Sequence, residues 1–296
     1  MHGFLNINKP PGITSFDVIR RLKKCFPKDT RIGHLGTLDP MASGVLPIAI
    51  GQATKIIPYL EGGDKEYLAC MTLGAVSDTQ DAWGNITHCQ STGVNREQVE
   101  AVLPLFRGII WQEPPMYSAV HHEGVRLYEL ARQGQTVTRK KRPVEIKSLE
   151  LLGFDNSDGY PVAELKVVCS RGTYIRTLCH DMGQELGTGA FLSALTRTRS
   201  GEFVLSEAAE LDEAVNCLSS LLLPLDYPLR HWPQVVLCTP EEVRGMENGQ
   251  TIVAGENLSG GLVRVYRPDH TLLAIAQVQR RDDKDYLKPE RVFHIQ

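Results

Sequence analysis

The sequence predicts an α+β protein, in which a mixed body is followed by a small C-terminal β module. Strand-like and helix-like apolar patterns alternate irregularly through residues 1–229, and a hairpin pattern dominates the remainder. Three prolines within ten residues, Pro224, Pro228 and Pro233, are typical of a domain edge. We therefore expect one domain over residues 1–229 and a second over residues 230–296.

Runs of apolar residues predict the strands of the body, and apolar residues at helical spacing predict its helices. The predicted strands are Val45–Ile50, Glu66–Leu73, Val144–Leu152 and Val162–Cys169, with Ala190–Leu195 leading into Arg197–Phe203. The first predicted helix is capped by Thr14 or Ser15. The others cover Thr54–Leu60, Arg96–Leu105, Val125–Gln133 and Gly172–Leu186. The last of these is the clearest, because its apolar residues form one stripe and a glycine ends it.

The module after residue 230 has the pattern of an all-β tail. Leu262–Tyr266 and Thr271–Val278 flank a polar segment at 267–270, which is typical of a hairpin.

The composition is that of a globular protein. Of the 296 residues, 42% are hydrophobic and 23% are charged. The net charge of −3 argues weakly against a nucleic-acid partner, but basic residues outnumber acidic ones in residues 1–60 and acidic residues dominate 201–213. A polyanion would prefer the first region, although two solvated faces of opposite charge would give the same pattern.

The cysteines and histidines do not indicate a metal site. The seven cysteines are scattered without a CxxC pair, which is typical of a reducing compartment. The adjacent residues His121 and His122 suit no common metal geometry. The first residues lack a signal-peptide pattern, and no apolar run reaches the roughly 20 residues of a membrane span. We therefore expect a cytoplasmic protein without a metal or a membrane segment.

An acidic residue in a loop rich in glycine and proline is the first candidate for chemistry. Asp39 lies between Leu38 and Pro40 in segment 33–47, whose glycines permit close approach of another backbone. Pro40 fixes the φ angle directly after it. A carboxylate held in this way can act as a nucleophile or base. Taken alone, however, an Asp before Pro is more often a turn residue or a helix N-cap.

Two further segments carry candidate residues. Arg176 lies in the predicted first helical turn after Gly172, where the helix dipole disfavours a cation. An arginine there either pairs with a carboxylate or phosphate or is simply exposed. Tyr67 lies in a predicted strand, where it could stack on a base or serve as an ordinary core residue.

Taken together and in order, these segments resemble the TruB family of tRNA pseudouridine synthases and the related dyskerin catalytic domain. The resemblance rests on the blocks Lys9–Ser15, Gly33–Pro47, Lys65–Tyr67, Pro114–Ala119, Tyr128–Arg132 and Ser170–Arg176, with Leu195 in a late motif. One departure is His121, where the family usually has a lysine. The tail ending at Leu287–Phe293 resembles a PUA-type RNA-binding module.

The resemblance implies a pseudouridine synthase fold, with a mixed, mostly antiparallel sheet flanked by helices and a β-barrel-like PUA-type module. It implies isomerisation of uridine-55 in the T-loop of tRNA, without a cofactor, on a base flipped out of its stack. Asp39 would attack C1′ or C6, or take the proton at C2′. Arg176 would keep Asp39 ionised, and Tyr67 would stack on the uracil. His34 would occupy the space that the base vacates.

The resemblance gives the remaining residues supporting or RNA-binding roles. Leu195 would wall the pocket against water, Tyr174 would support Arg176, and Lys9 would orient the first loop. An insertion at about 121–146 would grip the RNA. Its basic arm would contact phosphates of the T-arm through Arg139, Lys140 and Lys141.

The expected partner is the T-arm of tRNA, bound by a monomer without an obligate protein partner. A guide-RNA-dependent synthase of the dyskerin kind is an alternative, but the chain lacks long basic extensions. A tRNA-folding module without catalysis is a second alternative, against which Asp39 argues. A carboxylate-based hydrolase is disfavoured, because no second acid lies at a credible spacing from Asp39.

Overall fold

The computed structural model of the chain describes residues 1–60, 62–89, 93–157, 159–254, 258 and 260–294. Up to residue 210 the strands are β1 (Gly3–Lys9), β2 (Ile32–His34), β3 (Ser43–Ile50), β4 (Lys65–Leu73), β5 (Ala75–Ser77), β6 (Ile86–His88), β7 (Gly108–Gln112), β8 (His121–His122), β9 (Val125–Arg126), β10 (Arg142–Asp155), β11 (Val162–Cys169), β12 (Ala190–Ser200), β13 (Phe203–Val204) and β14 (Ala209–Glu210). Beyond residue 230 they are β15 (Gln234–Val236), β16 (Ile252–Val253), β17 (Gly261–Tyr266), β18 (Leu272–Arg281) and β19 (Lys284–Val292). The α-helices are α1 (Ser15–Lys23), α2 (Arg96–Val102), α3 (Leu127–Arg132), α4 (Ile175–Glu185), α5 (Leu211–Asn216), α6 (Leu218–Leu221) and α7 (Pro240–Glu247).

A mixed ten-stranded sheet forms the centre of the body. Its order is β14-β1-β3-β12-β4-β11-β10-β7, with β13 paired to β12 and β2 paired to β3. The pairs β1/β14 and β3/β12 are parallel, and the other pairs are antiparallel. A Cβ at Gly44 would lie 2.2 Å from the carbonyl oxygen of Arg197, so the approach of β3 to β12 requires glycine there. The predicted mostly antiparallel sheet is confirmed.

Helices α1 and α4 pack against this sheet and help to form the largest apolar core. Thr14 is the N-cap of α1, and its reciprocal hydrogen bonds with Asp17 form a capping box. Most of α4 is buried, including Leu178 and Met182 in its middle. Burying one such side chain contributes roughly 1.5–3 kcal/mol, so α4 is firmly anchored beneath the strands.

The C-terminal residues form a five-stranded sheet in the order β15-β17-β18-β19-β16. The hairpin predicted around 267–270 is confirmed as β17–β18. The prediction of an all-β tail is wrong, because α7 lies within it, capped by Thr239 and begun by Pro240. Tyr266 and Phe293 share an apolar core with Phe4 of the body. The domain division between residues 229 and 230 stays a prediction.

Several body elements differ from the sequence prediction. The predicted helix Thr54–Leu60 consists of 3₁₀ turns at Gly51–Lys55 and Ile57–Leu60, because Pro58 lacks the N–H that an α-helix needs. The predicted helix Val125–Gln133 is helical only from Leu127. Strand β7 was not predicted, and the end of the predicted insertion, residues 142–146, lies in β10.

In the described part of the chain, no helix combines the length and apolarity that crossing a bilayer requires.

Candidate active site

Asp39 lies in the β2–β3 loop, residues 35–42, where the backbone is fixed on both sides of it. The Ser15 hydroxyl accepts a hydrogen bond from the Leu38 amide at 2.9 Å and donates one to the Leu38 carbonyl at 3.1 Å. On the other side, the Pro40 carbonyl accepts a 2.8 Å bond from the Gly12 amide. The start of α1 and the first loop therefore set the position of the carboxylate.

Lys9 connects the first loop to the β2–β3 loop from a fully buried position. Its ammonium donates to the carbonyls of Pro10 at 2.9 Å, Ile13 at 2.8 Å and Pro40 at 3.4 Å. Burial lowers the pKa of Lys9 to about 8, although the nearby Asp39 acts in the opposite direction. Lys9 thus lies where it can orient the loop, but it presents no surface to an RNA.

Arg176, in the first turn of α4, pairs with Asp39. Its Nε lies 2.9 Å from Asp39 Oδ2, and its Nη2 donates to Oδ1 at 3.2 Å. The same guanidinium donates to the carbonyls of Thr79 at 3.1 Å and Tyr117 at 2.9 Å, and it lies 3.5 Å from Asp81 Oδ2. The arginine side chain is only 4% exposed and that of Asp39 is 33% exposed. One member of the pair is therefore locked in place while the carboxylate remains accessible.

Arg197, in β12, is a second buried arginine that holds the same loop. Its side chain is fully buried and donates to the carbonyls of Gly36 at 3.0 Å, Thr37 at 3.4 Å and Val45 at 2.7 Å. These carbonyls precede and follow Asp39 in sequence, so one guanidinium clamps both sides of the loop.

Tyr67 is buried in β4, directly opposite Arg197 in the antiparallel β4/β12 pair. Burial raises the pKa of its phenol, and Arg197 opposes that shift. The phenol is therefore neutral near pH 7. This placement puts Tyr67 beside the guanidinium that clamps the β2–β3 loop.

His34 is half-buried and Leu195 is buried, both beside these strands. His34 ends β2, and its Nδ1 has no hydrogen-bond partner among the described residues. Burial, Arg197 and Lys65 lower the pKa of His34, so its ring is neutral near pH 7. Leu195 is 7% exposed and belongs to the main apolar core, opposite Ala69 of β4.

Tyr174 is the N-cap residue of α4 and is held by neighbours other than Arg176. Its amide donates to the Gln112 side chain at 3.0 Å, and its ring lies 5.0 Å from the Arg142 guanidinium. In the described part of the chain, no hydrogen bond or ring contact links it to Arg176. A supporting role would therefore act through the start of the helix.

The basic arm, residues 137–142, divides into anchored arginines and free lysines. Arg139 forms a 2.5 Å ion pair with Glu113, and Arg142 donates to the Gly172 carbonyl at 2.8 Å. Lys140 and Lys141 are exposed, and neither makes a hydrogen bond or salt bridge to a described residue. Arg139 would have to leave Glu113 to bind a phosphate, so contact with RNA stays a prediction for all three predicted residues.

The structure brings Asp39, Arg176 and Lys9 together and places Tyr67 and His34 close by, whereas the arm lies apart from this contact network. Sequence reasoning missed Arg197, Asp81 and Ser15, which position the pair. Ser15 carried a signal as a helix-start residue, but nothing in the pattern distinguished Arg197 from an exposed strand residue. Across the described residues, no group of three or more His, Cys, Asp or Glu side chains could hold a metal ion.

Two solved structures share this architecture. One is titled "Structure of H/ACA RNP bound to a substrate RNA containing 2'-deoxyuridine" and has a TM-score of 0.72, 25% identity and coverage of 99% of this chain and 85% of that chain. The other is titled "Crystal Structure of a Cbf5-Nop10-Gar1 Complex" and has a TM-score of 0.72, 26% identity and the same coverage. The sheet topology and this likeness define the class as a pseudouridine synthase fold.

Family models cover most of the body. Residues 23–175 match the N-terminal domain of TruB family pseudouridylate synthases, and residues 176–230 match the C-terminal domain of tRNA pseudouridylate synthase B. The chain belongs to the TruB family of pseudouridylate synthases.

Two curated relatives match this chain over nearly its full length. A protein of Syntrophomonas wolfei named tRNA pseudouridine synthase B is 56% identical over 100% of this chain and 99% of its own. A protein of the same name from Heliobacterium modesticaldum is 43% identical over 99% of this chain and 96% of its own.

Proposed function

We propose that this chain is a stand-alone isomerase that converts uridine-55 in the T-loop of tRNA to pseudouridine. Membership of the TruB family and the names of the relatives support this substrate. The observation that carries the chemistry is the ion pair between buried Arg176 and accessible Asp39.

The reaction leaves the composition of the nucleotide unchanged. The bond from C1′ to N1 of uracil breaks, and a bond from C1′ to C5 forms. C5 then loses its proton, and N1 gains one. No oxidant, reductant or water is consumed, so the protein has to supply only an anionic group, a fixed geometry and protection from water.

Asp39 is suited to supply the anionic group. Arg176 fixes its orientation, and its remaining lone pairs can reach C1′ or C6, or the proton at C2′. Because Thr79 and Tyr117 hold the same guanidinium, the carboxylate does not have to reorganise when substrate binds.

The neighbouring residues would receive the flipped base. Tyr67, which is buried and neutral, would stack its ring on the uracil, a contact usually worth about 1–3 kcal/mol per base. His34, whose Nδ1 lacks a partner among the described residues, would replace the base in the RNA stack. Leu195 and the apolar core behind it would keep water from the broken bond.

The proposed partner is the T-arm of tRNA, bound by a monomer in the cytoplasm. Lys140 and Lys141 would contact its phosphates. A guide-RNA-dependent enzyme is the alternative that the following experiment distinguishes.

Pseudouridine formation in a synthetic T-arm stem-loop tests the proposal. The purified protein is compared with Asp39→Asn and with Asp29→Asn, which changes an exposed aspartate, in the presence of a chelator. We expect product from the parent and from Asp29→Asn, and none from Asp39→Asn. Binding without product in all three would favour the guide-dependent or binding-only alternatives. Product from Asp39→Asn would refute the assignment of Asp39.

A further inference from the structure

A cavity of about 630 Å³ lies beside the β2–β3 loop. His34 and Gly36 form one wall, residues 199–203 form another, and Lys65 and His231 also border it. The cavity therefore begins at the loop that carries Asp39 and continues away from the Asp39–Arg176 pair.

Among the described residues that line this cavity, lysines and arginines outnumber carboxylates. Its carboxylates face cations or a histidine: Asp64 accepts a 2.9 Å bond from Lys147, and Glu202 lies 3.9 Å from His231. Lys65 and Arg199, by contrast, make no hydrogen bond or salt bridge to any residue that the structure describes. Among the described residues, two cations thus border the cavity without a hydrogen-bonded or ion-paired partner.

Lys65 is unusual when it is compared with Lys9. Lys9 is fully buried and Lys65 is half-buried, and desolvation lowers the pKa of each to about 8. Lys9 satisfies its ammonium with three carbonyls, whereas Lys65 packs against Gly36 so closely that a Cβ there would lie 2.7 Å from Nζ. Desolvating an ammonium that has no partner among the described residues is unfavourable, so an anion in the cavity would stabilise Lys65.

We propose that this cavity binds a backbone phosphate of the substrate RNA, with Lys65 and Arg199 as its ligands. The proposal rests on the proposed function, because an RNA strand that delivers a uridine to Asp39 must pass close to the cavity that begins at Gly36. A lysine supplies a compact charge, and an arginine can donate two bonds to one phosphate. The volume leaves room for the sugars on either side.

The test replaces single phosphates of the T-arm stem-loop by neutral methylphosphonates and measures the Kd of each RNA. The proteins are the parent, Lys65→Gln, Arg199→Gln and Lys24→Gln, which removes an exposed lysine of the α1 end. At one linkage, we expect the methylphosphonate to raise the Kd of the parent for the stem-loop by about tenfold. This corresponds to the loss of a hydrogen bond to a charged group. The same methylphosphonate should change the Kd of Lys65→Gln and of Arg199→Gln little. In Lys24→Gln it should raise the Kd as much as in the parent.

Two controls distinguish a bound RNA phosphate from a misfolded variant and from a site for free anions. Thermal unfolding near pH 7 should give Lys65→Gln a melting temperature equal to or above that of the parent, because an unpaired charge has been removed. Inorganic phosphate at constant ionic strength should weaken stem-loop binding by the parent more than by Lys65→Gln. Competition by inorganic phosphate without any linkage effect would mean a site for free anions and would overturn the proposal.

The outcome also distinguishes this site from the proposed function. Suppose that the parent forms pseudouridine, but each methylphosphonate changes the Kd equally in the parent, Lys65→Gln and Arg199→Gln. The phosphate site is then wrong and the proposed function stands. If the parent forms no pseudouridine, the function itself fails.

Discussion

The β2–β3 loop and the basic arm both use cationic side chains, but they use them in opposite ways. Around the loop, buried Arg176 donates to Asp39, and buried Arg197 and Lys9 donate to backbone carbonyls of the loop. In the arm, the arginines anchor the ends and the two lysines between them are exposed. Chemistry requires the first arrangement, because a reacting carboxylate must be fixed before substrate arrives.

The contrast separates positioning from binding. A buried guanidinium that spans several carbonyls loses little freedom when RNA binds, so its removal should change the rate. An exposed lysine contributes mainly through its charge, so its removal should change affinity and salt dependence. Variants on the two sides of this contrast should therefore fail in different ways.

The largest effect is expected for Arg176→Gln. Losing the charge that orients Asp39 should lower the single-turnover rate by about 100-fold or more, since a misplacement of about 1 Å can have that effect. Stem-loop Kd should change much less. Rapid-quench assays at saturating protein measure the rate, and Arg96→Gln, which removes a half-exposed arginine paired with Glu100 on α2, should behave like the parent. A large loss of affinity at an unchanged rate would place Arg176 among the binding residues.

The next effect is expected on stability. Arg197→Met would leave the buried carbonyls of Gly36, Thr37 and Val45 without their donor, and each unsatisfied group can cost about 1–3 kcal/mol. Urea unfolding should therefore show a lower free energy of unfolding, with a smaller loss in Arg197→Lys, which keeps one donor group. Equal stability of the parent and Arg197→Met would argue against a clamp.

A several-fold effect is expected from pH. Lys65 is charged below its pKa of about 8, so the affinity for the stem-loop should fall as pH rises through that value. Arg197, Arg171 and Cys169 face Lys65, and burial raises the pKa of the Cys169 thiol to about 11. Titrating Kd at constant ionic strength should show this fall in the parent and not in Lys65→Gln. Lys65→Gln keeps Lys9, whose pKa is also about 8. If the affinity of this variant falls with pH as in the parent, the effect comes from a group other than Lys65.

The smallest effect is expected in the arm. Lys140→Gln and Lys141→Gln should each weaken stem-loop binding a few-fold and lower the salt slope of log K by about one. Rates at saturating protein should stay at the parent value. A salt slope that does not change would show that the lysines do not reach phosphates.

Local patterns were sufficient for several elements. Strand Val162–Cys169 was predicted to the residue, because its apolar run has clear ends. The helix predicted from Gly172 begins three residues later, at Ile175, because residues 172–174 form the turn that leads into the cap. Strand β7 was missed because its exposed face carries apolar Ile109 and Trp111 while Gln112 is buried, the reverse of the usual alternation.

Long-range positioning could not be predicted. Arg197 is separated by about 160 residues from the carbonyls that it holds, and only the β3/β12 pairing brings them together. The contact between Asp81 and Arg176 also joins residues that are far apart in the sequence. Helix α7 was different, because Thr239, Pro240 and Glu242 carried a capping signature that could have been used.

The most direct test of the contrast measures single-turnover rate and stem-loop Kd together for Arg176→Gln and for the double variant Lys140→Gln/Lys141→Gln. We predict a large loss of rate at near-parent affinity in the first, and a loss of affinity at parent rate in the second. If both variants lose rate and affinity in the same proportion, the separation of positioning from binding is wrong.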